Sequence, residues 1–170
     1  MPVRIAVVVG NPKPASRTLA VALAAADALS TVVDETSDRL VVDLAEYGPD
    51  LLDWQSERST RLCAQVAASD LIVVASPTYK ATYTGLLKIF FDRYGNRALE
   101  GRVAVPVMTG ASLVHALAPE THLRPLLVEL GAATPTRALY VTESDMGDLA
   151  PVLSAWGLSA LPEIARFFRG

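Results

Sequence analysis

Cysteine is nearly absent: the 170-residue chain holds one, Cys63. An intrachain disulfide is therefore excluded, and a reducing, cytoplasmic setting is expected, with Cys63 packing in a helix. Aromatic residues are few, at 6%. Neither sign of charge dominates, since 15 basic and 18 acidic residues leave a net charge of −3. With no basic cluster, nucleic acid and anionic membrane surfaces are not expected partners. The longest apolar run, Leu19 to Ala26, is far too short to span a bilayer. Met1-Pro2 leads straight into a strand pattern, so no signal peptide is expected. Internal repeats, low-complexity tracts and linkers are also missing, and His115, His122, Asp92 and Cys63 form no metal-ligand spacing. At this length one domain over residues 1–170 is expected, burying roughly 70% of the unfolded surface.

What is present is a regular alternation of apolar runs and helical patterns. Strands are expected at Val3–Val9, Leu40–Leu44, Leu71–Ala75, Val103–Met108 and about Thr136–Val141. The first helix begins at an Ser16 N-cap, with Leu19, Ala22, Leu23, Ala26 and Leu29 as its buried stripe. The second runs from about Gln55 to Ala68. The third carries Leu86, Phe90 and Tyr94 on one stripe and an i,i+4 pair of Lys88 and Asp92 on its wet side. A helical region after the fourth strand stops at Gly131, and the tail reads as two short helices, Asp148–Trp156 and Leu161–Phe168, parted by Gly157. Five such alternations predict an α/β fold: a doubly wound five-stranded parallel sheet of order 2-1-3-4-5, with helices on both faces. In that order the ligand crevice opens between strands 1 and 3, at their carboxyl ends.

Three unusual loops follow strands 1, 3 and 4, so all three converge on that crevice. The first runs from Gly10 to Thr18 and places Arg17 in the opening turn of a helix, the wrong end for a cation. An anion held by helix N–H groups, the Ser16 and Thr18 hydroxyls and the Arg17 guanidinium accounts for that placement; the alternative is a solvated arginine on a capped helix. The second, Ser76 to Lys88, packs a proline, two tyrosines, several hydroxyls and Gly85 between strand and helix. A plain connector is about two to six residues long, whereas this one offers flat rings and hydroxyls suited to a planar polar ligand; alternatively Pro77 and Gly85 only shape a loop. The third is Thr109-Gly110-Ala111-Ser112. A phosphate at one end and a planar ring at the other describe flavin mononucleotide (FMN). The first loop lacks both Gly-x-Gly-x-x-Gly and the Gly-Lys-Ser/Thr of a phosphate-binding P-loop.

On these residues the chain resembles the NADPH-dependent FMN reductase family of flavodoxin-like proteins, in particular the branch linked to alkanesulfonate monooxygenases. The most specific stretch is Pro77 to Lys88. Supporting it are Gly10 with Ser16-Arg17-Thr18, Thr109-Gly110, His115-Ala-Leu-Ala and Leu123-Arg-Pro125. The resemblance implies that Ser16, Arg17 and Thr18 hold the FMN phosphate. It implies that Pro77, Thr78, Tyr79, Lys80, Thr82, Tyr83 and Gly85, with Thr109 and Gly110, hold the ring, to which the position of the third loop at the crevice adds Ala111 and Ser112. Many relatives carry a further glycine where Ala111-Ser112 stands here. It further implies hydride transfer from NADPH or NADH to FMN, delivery of reduced flavin to a partner monooxygenase, and a homodimer or homotetramer. No acid/base side chain is required, and none is named as catalytic. Two other functions stay open: a reductase of quinones, azo dyes or metal oxyanions that keeps FMN bound, and a non-enzymatic electron carrier of the flavodoxin kind.

Pro125 falls inside the helix expected from Pro119 to Leu130, where it offers no N–H to the Thr121 carbonyl and its ring collides with it. A kink or a wide π-type turn is expected there. In the sulfonate-linked relatives a π turn with an inserted aromatic lies at a tetramer contact, and Thr121-His122 occupies the matching place here.

Overall fold

The computed structural model describes residues 2–34 and 39–169. Five parallel strands form one sheet: β1 (Ile5–Val9), β2 (Leu40–Asp43), β3 (Leu71–Pro77), β4 (Val103–Gly110) and β5 (Leu139–Thr142), in the order β2-β1-β3-β4-β5. The register sets Val7 beside Val73, Val73 beside Val105 and Val107 beside Leu139. This is the expected order, and its cause is legible in the strands. Each of β1, β3 and β4 is apolar at nearly every position because both of its faces are covered.

Helices α1 (Arg17–Ser30) and α5 (Ala150–Arg169) cover one face, packing Val21, Ala22, Ala25, Trp156, Ala160 and Ile164 on Val7, Val73 and Val105. Helices α2 (Glu57–Ala67), α3 (Gly85–Asp92) and α4 (Arg124–Glu129) cover the other, where Leu62, Val66, Phe90, Phe91 and Leu127 meet Val8, Ile72, Val74 and Met108. The stripe of α1 is turned slightly from its expected position: Thr18, Val21 and Ala25 are fully buried, while Leu19 and Leu23 lie half-buried at its edge. Lys88 and Asp92 pair on the wet side of α3 as expected.

Two expectations need correction. The tail is a single helix, α5, running through Gly157 and with Pro162 inside it. Trp156, Ala160 and Ile164 recur every four residues and are all buried. One continuous apolar stripe on the sheet thus outweighs the local cost of glycine and proline. Leu158, whose carbonyl loses its usual donor at Pro162, sits on the exposed side. The fifth strand also starts later than Thr136, because its approach is engaged elsewhere. The Arg124 guanidinium donates to the Thr134 and Thr136 carbonyls, each at 2.7 Å, and the Trp156 indole donates to the Arg137 carbonyl at 2.9 Å.

Before α4, residues Pro119–Leu123 form a π turn, with the Arg124 N–H donating to the Pro119 carbonyl five residues back. This is the wide turn that Pro125 demands. Glu120 ties it to the residue just before β5 by accepting from the Ala138 N–H at 2.7 Å.

Candidate functional site

Gly10 follows β1 and lies against the start of α3: a Cβ there would run into Leu87. Thr84 clamps the same junction, its hydroxyl donating to the Gly10 carbonyl at 2.5 Å while accepting from the Leu87 N–H as the α3 N-cap. From Gly10 the chain turns outward through Asn11, whose side-chain oxygen accepts from the Lys13 N–H at 2.9 Å. Ala15 then takes a left-handed conformation (φ 49°), and its N–H donates to Asp43 at 2.9 Å. The loop is thus tied at both ends before α1 begins.

Ser16 caps α1, accepting from the Leu19 N–H at 3.2 Å. By helix geometry the Arg17 and Thr18 amides have no intrahelical acceptor. The first turn carries no acidic residue to neutralise the positive pole. Thr18 points inward, accepting from the Asn11 amide at 3.1 Å and lying 3.0 Å from the Thr109 hydroxyl. Arg17 points outward to Glu143, at 2.6 Å.

The second loop is stiffer than its sequence suggests. Tyr79 and Thr82 exchange backbone hydrogen bonds at 2.9 and 3.2 Å, and Lys80 and Ala81 between them have φ of 52° and 69°. This is a two-residue turn of type I′, which holds Tyr79 half-exposed at the rim. Ser76 secures the return by accepting from the Thr84 N–H at 3.0 Å. The third loop begins later than expected, since β3 and β4 continue pairing to Pro77 and Thr109, and the Thr78 N–H donates to the Thr109 carbonyl at 2.7 Å. Thr109 and Gly110 therefore belong to a strand. A Cβ on Gly110 would run into the Tyr140 hydroxyl, which donates to the Ser112 carbonyl at 3.0 Å.

These segments enclose a cleft of about 370 Å³ at the carboxyl ends of β1, β3 and β4. Of the residues singled out from sequence, Ser16, Arg17, Thr18, Pro77, Thr78, Tyr79, Thr109, Gly110 and Ala111 line it. Lys80, Thr82, Tyr83, Gly85 and Ser112 do not. Lys80 is exposed at the turn tip, Gly85 is exposed at the first position of α3, and Tyr83 opens onto a separate groove with Lys88, His122 and Pro125. Five lining residues escaped the sequence reading: Asn11, Lys13, Ala15, Glu143 and Met146. The first three sit in a loop already singled out. Glu143 and Met146 follow β5, and nothing local marks them; α1 lies across β1 and β3 and so carries Arg17 toward the β5 end.

The polar lining suits a ligand with an anionic end. Lys13 and Arg17 supply positive charge beside the α1 terminus. The buried Thr78 hydroxyl has no protein partner. Among the described residues, no group of three or more His, Cys, Asp or Glu side chains could hold a metal ion. His115 and His122 are exposed and lie outside this cleft, and burial pushes the Cys63 thiol up, away from reactive ionisation.

The family described as NADPH-dependent FMN reductase matches residues 3–146. The FMN reductase (NADPH) of Escherichia coli (strain K12) is 37% identical over 84 residues, 49% of this chain and 44% of that protein, so the chain spans less than half the length of that relative. The NADH-dependent FMN reductase SfnE of Pseudomonas putida is 30% identical over 157 residues, covering 86% of this chain and 81% of that protein. Among solved structures, an NADH:FMN oxidoreductase (EMOB) in its apo form superposes with a TM-score of 0.84 at 29% identity, over 97% of this chain and 88% of that one. A cleft fed by the loops after β1, β3 and β4, on a sheet of this order and with a match across most of its length, places the chain in the NADPH-dependent FMN reductase family.

Proposed function

We propose that the chain is an NAD(P)H-dependent FMN reductase, with residues 1–170 acting as one flavin-binding domain. The observation that carries this reading is the cleft itself. It joins a helix N-terminus with Ser16, Arg17 and Thr18 at one end to the Pro77–Tyr79 wall and the Thr109–Ala111 strand end at the other. FMN fits it on two counts. The buried Thr78 hydroxyl has no protein partner, and Lys13 and Arg17 bring positive charge to the α1 end of the cleft for the phosphate. Its volume falls within the range of about 300–1,000 Å³ usual for small-ligand sites.

When bound, FMN supplies the redox chemistry, taking a hydride from NADPH or NADH and passing electrons onward. The protein's residues bind and orient. Arg17, with the Arg17 and Thr18 amides and the Ser16 hydroxyl, holds the phosphate, while the Thr18 hydroxyl fixes the floor beneath it through Asn11 and Thr109. Pro77, Thr78 and Tyr79 form the surface on which the ring rests. The Ala111 N–H, the first past the paired end of β4, donates to the edge of the ring where negative charge collects. Lys80 and Thr82 act through the turn that presents Tyr79, Gly85 through the start of α3, and Ser112 through the carbonyl that holds Tyr140. Tyr83 faces the neighbouring groove with His122 and Pro125, beside the π turn.

In this reading the chain works in the cytoplasm as a homodimer or homotetramer, with the π turn at a subunit contact. It hands reduced flavin to a flavin-dependent monooxygenase. The resemblance of Pro77–Lys88 and of the π-turn region to the sulfonate-linked branch supports these finer points. Oxidation of NADPH and of NADH is followed with and without added FMN, FAD and a quinone. Turnover that requires added FMN from a colourless protein supports the reading. A yellow protein that reduces quinone without added FMN favours a bound-flavin reductase, and no consumption of NAD(P)H favours an electron carrier.

A further inference from the structure

Arg17, at the start of α1, is paired with Glu143 from beyond the end of β5. Its Nη2 lies 2.6 Å from Glu143 Oε1, and both side chains are exposed, at 66% and 52%. An exposed pair of this kind is weakly held and easily exchanged. The backbone beneath Glu143, however, is fixed. Its N–H donates to the Gly110 carbonyl at 2.9 Å, continuing the alignment of β5 with β4. The turn that follows is tied by Asp145, which accepts from the Thr142 N–H at 3.1 Å and from the Thr142 hydroxyl at 2.5 Å. A carboxylate is thereby held on the wall of the same cleft that presents Ser16 and Thr18.

A phosphate entering at the α1 terminus must draw Arg17 away from Glu143. Once it is seated, a dianion lies in the same cleft as the Glu143 carboxylate, now stripped of its counter-charge, and the two like charges oppose binding. We propose that Glu143 is an affinity-setting residue, competing with the FMN phosphate for Arg17 and keeping the flavin exchangeable, so that reduced FMN leaves the protein. This rests on the assignment of the cleft as the FMN site. It gives a physical reason why such a protein treats FMN as a substrate: affinity differences within one site reside mostly in dissociation. Among the charged residues lining the cleft, Lys13 is not engaged by Glu143 in an ion pair, so the competition falls on Arg17.

The test is a titration of the purified full chain with FMN and with riboflavin, read by flavin fluorescence at low and at high salt. It compares the natural chain with Glu143→Gln, Arg17→Ala and the double variant. Glu143→Gln is expected to tighten FMN about three- to fivefold at low salt and less at high salt, and to slow FMN dissociation in step, with riboflavin unchanged. In the Arg17→Ala background the gain should shrink, since only direct repulsion remains to be relieved. Urea unfolding of Glu143→Gln accompanies the titration, because a residue that merely tied α1 to the end of β5 would lower stability without changing the FMN-to-riboflavin ratio. Unchanged or weaker FMN binding in Glu143→Gln, or an equal shift for riboflavin, overturns the role of Glu143 while leaving the site intact. If the natural chain does not prefer FMN to riboflavin, the phosphate assignment fails, and this proposal fails with it.

Discussion

The Thr18 and Thr109 hydroxyls lie 3.0 Å apart, joining the first turn of α1 to the last turn-ward residues of β4 beneath the cleft. Asn11 completes the link by donating to Thr18 at 3.1 Å. All three residues are buried, so the link is shielded from water and positions two of the three loops relative to each other. Thr18→Val keeps the shape but leaves the Asn11 amide without its acceptor. It should cost about 1–3 kcal/mol in urea unfolding and weaken FMN as well. An unchanged unfolding midpoint would show that the link is not needed to hold the loops.

The sheet order and the convergence of the loops were legible because they depend on long patterns: apolar runs such as Leu71–Ala75, alternating with amphipathic helices. The single tail helix was not legible, since Gly157 and Pro162 are local stop signals and only the buried face of Trp156, Ala160 and Ile164 against the sheet overrides them. The tight turn at Lys80-Ala81 was hidden for a similar reason. Neither residue favours positive φ, and the flanking pair of Tyr79 and Thr82 imposes it. Glu143 belongs to the site only through the lie of α1 across the sheet, which no spacing in the chain records. Pro125, by contrast, forecast the wide turn because its missing N–H is a local fact with a local consequence.

Ala81 at φ 69° carries a left-handed conformation that costs a non-glycine residue about 1–2 kcal/mol. Ala81→Gly should therefore stabilise the protein, by about 0.5–1 kcal/mol once the larger freedom of the unfolded glycine is deducted. Ala81→Val should destabilise it. Thermal unfolding of both variants checks the sign.

Gly110→Ala places a methyl group against the Tyr140 hydroxyl. The ring must move, its bond to the Ser112 carbonyl is lost, and the wall of the cleft shifts. FMN binding should fall by tenfold or more, about 1.4 kcal/mol. Adding Tyr140→Phe removes the clashing oxygen and should restore part of the loss. Equal defects in the single and double variants would place the damage elsewhere.

Glu120 links the π turn to the residue just before β5. Burial alone would push its carboxyl up, but the Arg124 guanidinium, the Ala138 N–H and the Arg137 charge outweigh that effect and hold it below the usual carboxylate range. A lowered folded pKa means that the stabilisation is present above the unfolded value, about 4.3, and is lost as pH falls through the folded value. Glu120→Gln should thus be less stable than the natural chain near neutral pH, and the two should converge on acidification below about pH 4. A stability difference independent of pH would show that the carboxylate charge contributes nothing to tying the turn.

The most direct measurement of the central claim is the affinity of Arg17→Ala for FMN and for riboflavin, determined side by side with the natural chain. The phosphate at the start of α1 requires that removal of Arg17 weaken FMN by about 1.5–3 kcal/mol, the scale of a hydrogen bond to a charged group, while riboflavin changes far less. Equal losses for the two ligands, or none for either, would contradict the placement of the flavin phosphate in this cleft.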